Sequence, residues 1–220
     1  MFPNVDWQIM MEQTWETLYM TLVAGVATFV IGLALGLILY ITNESLLLKN
    51  RPIYVFVSAI VNVFRSIPFI ILIILLIPFT LFLLGTMLGS TAALPALIIG
   101  AAPFYARMVE LALREVDRGV IEAAESMGAT KWQIIYKVLI PEALPAIVSG
   151  LTVTIVAIVG YTAMAGVVGG GGLGNLAFLE GFQRSQNDVT FVATVLILII
   201  VFVIQFIGDR LVTKIDKRSA

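Results

Sequence analysis

At 220 residues, 60% hydrophobic and only 12% charged, with a mean hydropathy of +1.04, this chain carries about half the charged fraction of an ordinary soluble domain. Cys and His are both absent, which excludes disulfide frameworks, thiol nucleophiles, His-based zinc sites and His acid–base chemistry. A net charge of −1 with no basic run leaves no electrostatic footprint for nucleic acid.

The apolar residues come in blocks. No charge lies between Glu16 and Glu44, Arg65 and Arg107, Glu142 and Glu180, or Asp188 and Asp209. A helix crosses the hydrocarbon core with roughly 20 residues, so the expected class is an all-α integral membrane protein resting in a lipid bilayer. The first span is expected at residues 18–41, where about 36 Å of helix suffices to cross. The residues before it carry Asp6, Glu12 and Glu16 but no Lys or Arg, so this run reads as a retained span rather than a cleaved leader.

The uncharged run after Arg65 would reach about 60 Å as one helix and must turn back. "GTMLGST" at residues 85–91 is the natural place, dividing it into spans at 66–84 and 92–110. Pro68 and Pro78 should kink the first of these. Arg65 reads as a cation reaching for the interface, or as a buried charge paired with Glu110. The fourth span is expected at 143–168 and the fifth at 189–212, in a single domain over residues 1–220. Eleven Lys and Arg fall on one side of this layout (Lys49, Arg51, Arg107, Arg114, Arg118, Lys131, Lys137, Arg210, Lys214, Lys217, Arg218) and only Arg184 on the other. The positive-inside rule then puts the N-terminus outside and the C-terminus in the cytoplasm.

Between the third and fourth spans lies a polar segment at 114–142 that contains "EAAESMGATKWQIIYKVLIPEALP". Helix is expected over 120–127, a left-handed turn at Gly128, and a second helix over 130–139 that stops at Pro141. Thr130 with Gln133 three residues on spells a capping box. Trp132, Ile134, Ile135 and Val138 are apolar enough to lie on the membrane or the bundle. Glu122-Ala123-Ala124, Gly128 and Val138-Leu139-Ile140-Pro141 stand at the spacing of a cytoplasmic signature, and the segment closely resembles that of the permease subunits of bacterial ABC importers.

The likeness runs over nearly the whole chain: "WETLYMTLVAG", "VNVFRSIPFIILI", "GAAPFYARMVELAL", "VGYTAMAGVVGGGGLG" and "QFIGDR" resemble stretches of the methionine-uptake permease family. Polar amino-acid permeases are near neighbours. The resemblance implies five transmembrane helices in the type I ABC importer permease fold, in a multi-pass protein of a bacterial cell membrane. It implies a homodimer bound to two cytoplasmic ABC ATPase subunits and served by an extracytoplasmic methionine-binding lipoprotein. Glu122, Ala123, Ala124, Gly128, Ala129 and Pro141 are then the coupling residues that receive the ATPase stroke. The chain does no bond chemistry and holds no cofactor; ATP and Mg belong to the partner ATPase. Consistently, there is no GxxxxGK[ST] loop, and "GGGGLGNL" at 169–176 lacks its Lys. That stretch and the residues to Asp188 are expected to form the external mouth.

Thr152, Thr154, Tyr161, Thr162 and Met164 set polar or polarisable groups among small ones, so Tyr161, Thr162, Met164 and Gly166 are candidates for the passage and its gate. Gly32 and Gly36, four apart, form a close-approach face for a helix of the same chain or of a second copy. Asn62, Gln205 and Asp209 read as polar contacts between helices. The coupling signature alone would fit importers of many nutrients, so an ABC permease for another amino acid or small nutrient is the alternative within this class. A secondary carrier independent of an ATPase is the competing class, and missing mid-span carboxylates argue against it. A membrane enzyme would need clustered carboxylates or a Ser–Lys pair, and neither occurs.

Overall fold

The computed structural model describes residues 2–43 and 49–216, and among these every regular element is helical. Helix α1 (Trp7–Thr42) runs 36 residues, starting 11 residues before the expected span. Asp6 starts it by accepting from the Gln8 and Ile9 amides at 2.9 and 3.2 Å. Met10 and Thr17 are buried, so this extra length packs rather than frays.

The second expected span is broken rather than kinked. Helix α2 (Arg51–Ser66) ends one residue before Ile67, whose extended backbone (φ −82°, ψ 123°) is what a residue preceding proline adopts. Helix α3 (Phe69–Leu75) then leaves at 106° to α2. Leu76 joins it to α4 (Ile77–Leu84), where Pro78 sits in the first turn and leaves no hydrogen bond unmade. Gly85 ends α4 and the chain turns back as expected.

Helix α5 (Ser90–Arg114) is the centre of the bundle, with Ala92, Ala93, Ala96, Ala101, Ala102 and Ala106 all buried. The small side chains let α1 come close. A Cβ on Gly32 would lie 2.9 Å from the Ala102 carbonyl oxygen, and one on Gly36 2.6 Å from that of Ala106. Both glycines therefore lie on an α1–α5 contact within this chain.

Helices α6 (Arg118–Ser126) and α7 (Lys131–Ile134) follow, and α7 does not stop at Pro141. A π-helical turn (Ile135–Leu139) leads straight into α8 (Ile140–Val167). The Ile140 amide bonds to the Ile135 carbonyl, a one-residue register shift just ahead of the proline. That widened turn relieves the clash Pro141 would otherwise make with the preceding turn. A short α9 (Gly172–Leu176), a second π turn (Ala177–Gln183) and α10 (Asn187–Ile215) complete the chain. Among the described residues, four helical stretches, α1, α5, α7–α8 and α10, are long and apolar enough to cross a bilayer, and the bent α2–α3 pair makes a fifth if counted as one. Gln205 and Asp209 are exposed on α10 instead of bridging helices.

Candidate functional site

The polar segment folds into an elbow whose two arms are capped back to back. Asp117 opens α6 by accepting from the Gly119 amide at 2.7 Å. At its other end, Ala129 donates to the Ala124 carbonyl and Gly128 to that of Glu125, at 3.1 and 2.9 Å. This paired closure needs a left-handed residue between them, and Gly128 supplies it at φ +82°. Thr130 then caps α7 at once: Gln133 donates its amide to Thr130 Oγ1, and Gln133 Oε1 accepts from the Thr130 amide at 2.8 Å. With no slack residue between the two caps, the angle of the elbow is fixed by local hydrogen bonds.

Its inner face belongs to the body of the protein. Ile121, Ala124, Ile134, Ile135 and Leu139 are buried in the same cluster as Tyr105, Val109 and Leu113 of α5 and Ile147 of α8. The expected docking set therefore divides. Glu122, Ala123, Gly128 and Pro141 are exposed and Ala129 is half-buried, but Ala124 packs inward, three residues from Ile121 on one face of α6. The expected apolar set divides too: Ile134 and Ile135 are buried, Val138 is half-buried, and Trp132 is 57% exposed. Trp132 stacks with Tyr136 at 6.0 Å, and Met127 at the bend is 81% exposed. Met127 and Tyr136 were not singled out from the sequence, although their proximity to Gly128 and Trp132 is a usable signal. This outer face presents a carboxylate, a thioether and two aromatic rings around one sharp turn, the composition of a protein-binding surface.

Beside the elbow, Glu110 is fully buried and accepts from Arg107 at 2.6 Å and from Arg114 at 2.5 Å. The alternative pairing with Arg65 is absent, and Arg65 is exposed; spacings of three and four along α5 satisfy the carboxylate locally. Arg107 and Arg114 are 30% and 41% exposed, so both can turn to water if Glu110 loses its charge. Glu110→Gln is accordingly expected to cost roughly 1–3 kcal/mol, below the loss from stranding a buried charge, read as a lower thermal midpoint in detergent.

The four passage candidates on α8 fall on two faces. Tyr161 and Met164 are three apart and lie outward, Tyr161 half-buried and Met164 exposed. Thr162 and Gly166, four apart, are buried. Thr162 Oγ1 donates to the Val159 carbonyl at 2.7 Å. A Cβ on Gly166 would collide with the Asn175 amide nitrogen, and Asn175 Nδ2 donates to the Gly166 carbonyl at 2.8 Å. Gly166 is thus a contact between α8 and α9. The Thr152 and Thr154 hydroxyls are likewise spent on carbonyls of their own helix.

At the opposite end, α1 holds the glycine-rich stretch. The Glu16 carboxylate accepts from the Gly172 amide at 2.8 Å and Thr17 Oγ1 from the Leu173 amide at 2.9 Å. Gly172 has φ +78°, and a Cβ there would lie 2.8 Å from Thr17 Oγ1. Asn4 closes the same end on Asp188 through its amide and side chain at 3.0 and 3.1 Å. The basic residues Lys217 and Arg218 lie outside the described residues.

Residues 29–220 match the family described as "Binding-protein-dependent transport system inner membrane component". Over 217 residues the chain is 62% identical to the methionine import system permease protein MetP of Bacillus subtilis, covering 99% of this chain and 98% of that protein. It is 49% identical over 210 residues to the probable D-methionine transport system permease protein MetI of Vibrio cholerae, covering 96% of this chain and 93% of the relative. It also superposes on a chain of the MetNI methionine ABC transporter in an inward-facing conformation with a TM-score of 0.93 at 49% identity, covering 96% of this chain and 97% of that one.

Proposed function

The chain belongs to the family of binding-protein-dependent transport system inner membrane components, and on that premise we propose that it is the permease subunit of an ATP-driven ABC importer for methionine. The observation that carries this reading is identity of 62% to a methionine import permease along 99% of the chain.

Two copies form the passage, and each offers its elbow to a cytoplasmic ATPase subunit that supplies ATP and Mg chemistry. A methionine-binding protein delivers substrate on the outer side of a bacterial cell membrane. Glu122, Ala123, Met127 and Trp132 make the docking face, while Ala124 fastens the elbow to its own bundle. Because the inner face shares one core with α5 and α8, and α7 runs without interruption into α8, a push on the elbow moves those helices as a body. Closure of the ATPases opens the dimer outward, and hydrolysis returns it inward. Tyr161 and Met164 border the passage from the outward face of α8.

Reconstitution with a methionine-importer ATPase and its binding protein tests this reading. Methionine is expected to stimulate ATP hydrolysis above all other members of an amino-acid panel; stimulation by a different amino acid would reassign the substrate, and uptake without any ATPase would reassign the class. Orientation has its own test, since the chain has no cysteine of its own. Ser126→Cys is expected to react with a membrane-impermeant maleimide only from the cytoplasmic side, and Gln183→Cys only from outside. The opposite pattern would invert the topology.

A further inference from the structure

Helix α2 carries a polar stripe that the transport mechanism above leaves unused. Ser58, Asn62 and Arg65 are spaced four and three apart on one face, with Asn62 Nδ2 donating to Ser58 Oγ at 3.3 Å. The stripe ends at the α2–α3 break, where Arg65 has no ion-pair partner among the described residues. Arg65 is exposed, so its guanidinium is open to an anion, and an unpaired cation in so apolar a chain marks a candidate functional site.

Arg65 lines a cavity of about 230 Å³ together with Phe69, Leu72, Gly100, Phe104 and Tyr161. That is below the roughly 300–1,000 Å³ of sites for drug-sized ligands and suits one small amino acid. The walls pack closely around it. Phe69 stacks on Tyr161 at 4.4 Å with the rings 7° from parallel, and a Cβ on Gly100 would come within 3.1 Å of the Phe69 ring and 3.3 Å of Leu72.

We propose that this cavity is a transit site for the transported amino acid, with the Arg65 guanidinium taking its carboxylate and the Phe69–Tyr161 stack, Leu72 and Phe104 taking its side chain. A guanidinium matches a carboxylate with two parallel hydrogen bonds, and aromatic walls favour a polarisable thioether. The site deepens the importer reading and rests on it.

The test uses the assembled permease–ATPase complex without binding protein, labelled with photo-methionine, the diazirine analogue of methionine. Labelling is expected in the peptides that hold Arg65 to Leu72, Phe104 and Tyr161. L-methionine should compete with it, and 3-(methylthio)propylamine, which lacks the carboxylate, should compete about tenfold less well, the loss of one charge-assisted contact. Arg65→Gln should lower labelling by a similar factor and Arg65→Lys by less. Labelling confined to other peptides, or equal competition by the amine, would overturn the proposal even if Arg65→Gln failed to assemble. Unchanged labelling in Arg65→Gln with loss of a co-purified phospholipid would assign Arg65 to a lipid phosphate and overturn it as well. If methionine also failed to stimulate ATP hydrolysis in the complete system, the importer reading itself would fall; stimulation with labelling elsewhere would sink only the cavity.

Discussion

Gly128→Val is expected to abolish uptake while leaving the chain in the membrane at normal levels. Nothing stands within 4 Å of a Cβ at this position, so the effect is conformational and not steric. At φ +82° a side chain costs about 1–2 kcal/mol, and more when it is β-branched. Moving out of that region breaks the paired closure of α6 and pulls Thr130 out of register with Gln133, which redirects Met127 and Trp132. The buried clusters that join α1, α3, α5 and α8, and α1 with α9 and α10, contain no residue of the elbow, so insertion survives. Uptake and membrane abundance measured on the same cells decide the matter. Wild-type uptake by the valine variant would show that the angle of the elbow is not transmitted. Glu122→Lys reverses charge on the same outer face and is expected to give the same loss without altering the turn.

The second large effect is expected at Gly36. A Cβ there would sit 2.6 Å from the Ala106 carbonyl oxygen and 2.6 Å from Val109 Cβ, both rigidly placed on α5. Overpacking typically costs about 1–3 kcal/mol, against a gain of about 1 kcal/mol for replacing glycine inside a helix. Gly36→Ala should thus be a net loss, and Gly36→Val should prevent a monodisperse complex from being purified. Gly25 in the same helix is the control, because its Cβ would meet Ile155 at an ordinary 3.6 Å. Gly25→Ala is expected to be neutral or stabilising by up to about 1 kcal/mol. Equal behaviour of the two alanine variants in thermal unfolding would remove the α1–α5 contact from the account.

What was legible in the sequence follows how local its causes are. The left-handed turn at Gly128 and the capping box of Thr130 and Gln133 involve neighbours in the chain, and both stand where the residues imply. The break at Pro68 was legible in kind but not in size: the residue before proline leaves helical space, yet the 106° turn depends on what α3 packs against. Glu110 was offered to Arg65 only on the alternative reading of that residue as a buried charge; Arg107 and Arg114 at helical spacing on its own helix take it instead, and Arg65 is exposed. Ala124 was grouped with the docking residues as part of a linear motif, although its position relative to Ile121 puts it on the inner face. The same periodicity separates Tyr161 and Met164 from Thr162 and Gly166. Whether Gly32 and Gly36 served this chain or a second copy was not legible, since both contacts ask for the same small residues; the place of α5 answers it.

The central claim is that the elbow is gripped by a separate ATPase, and one crosslink tests it most directly. Met127→Cys introduces the only thiol in the chain, at an exposed position of the bend. A short bifunctional maleimide applied to membranes containing the assembled transporter should join this position to the nucleotide-hydrolysing subunit, with nucleotide altering the yield. Capture of no such subunit, or labelling of Met127→Cys from the outer side of intact cells, would contradict the account.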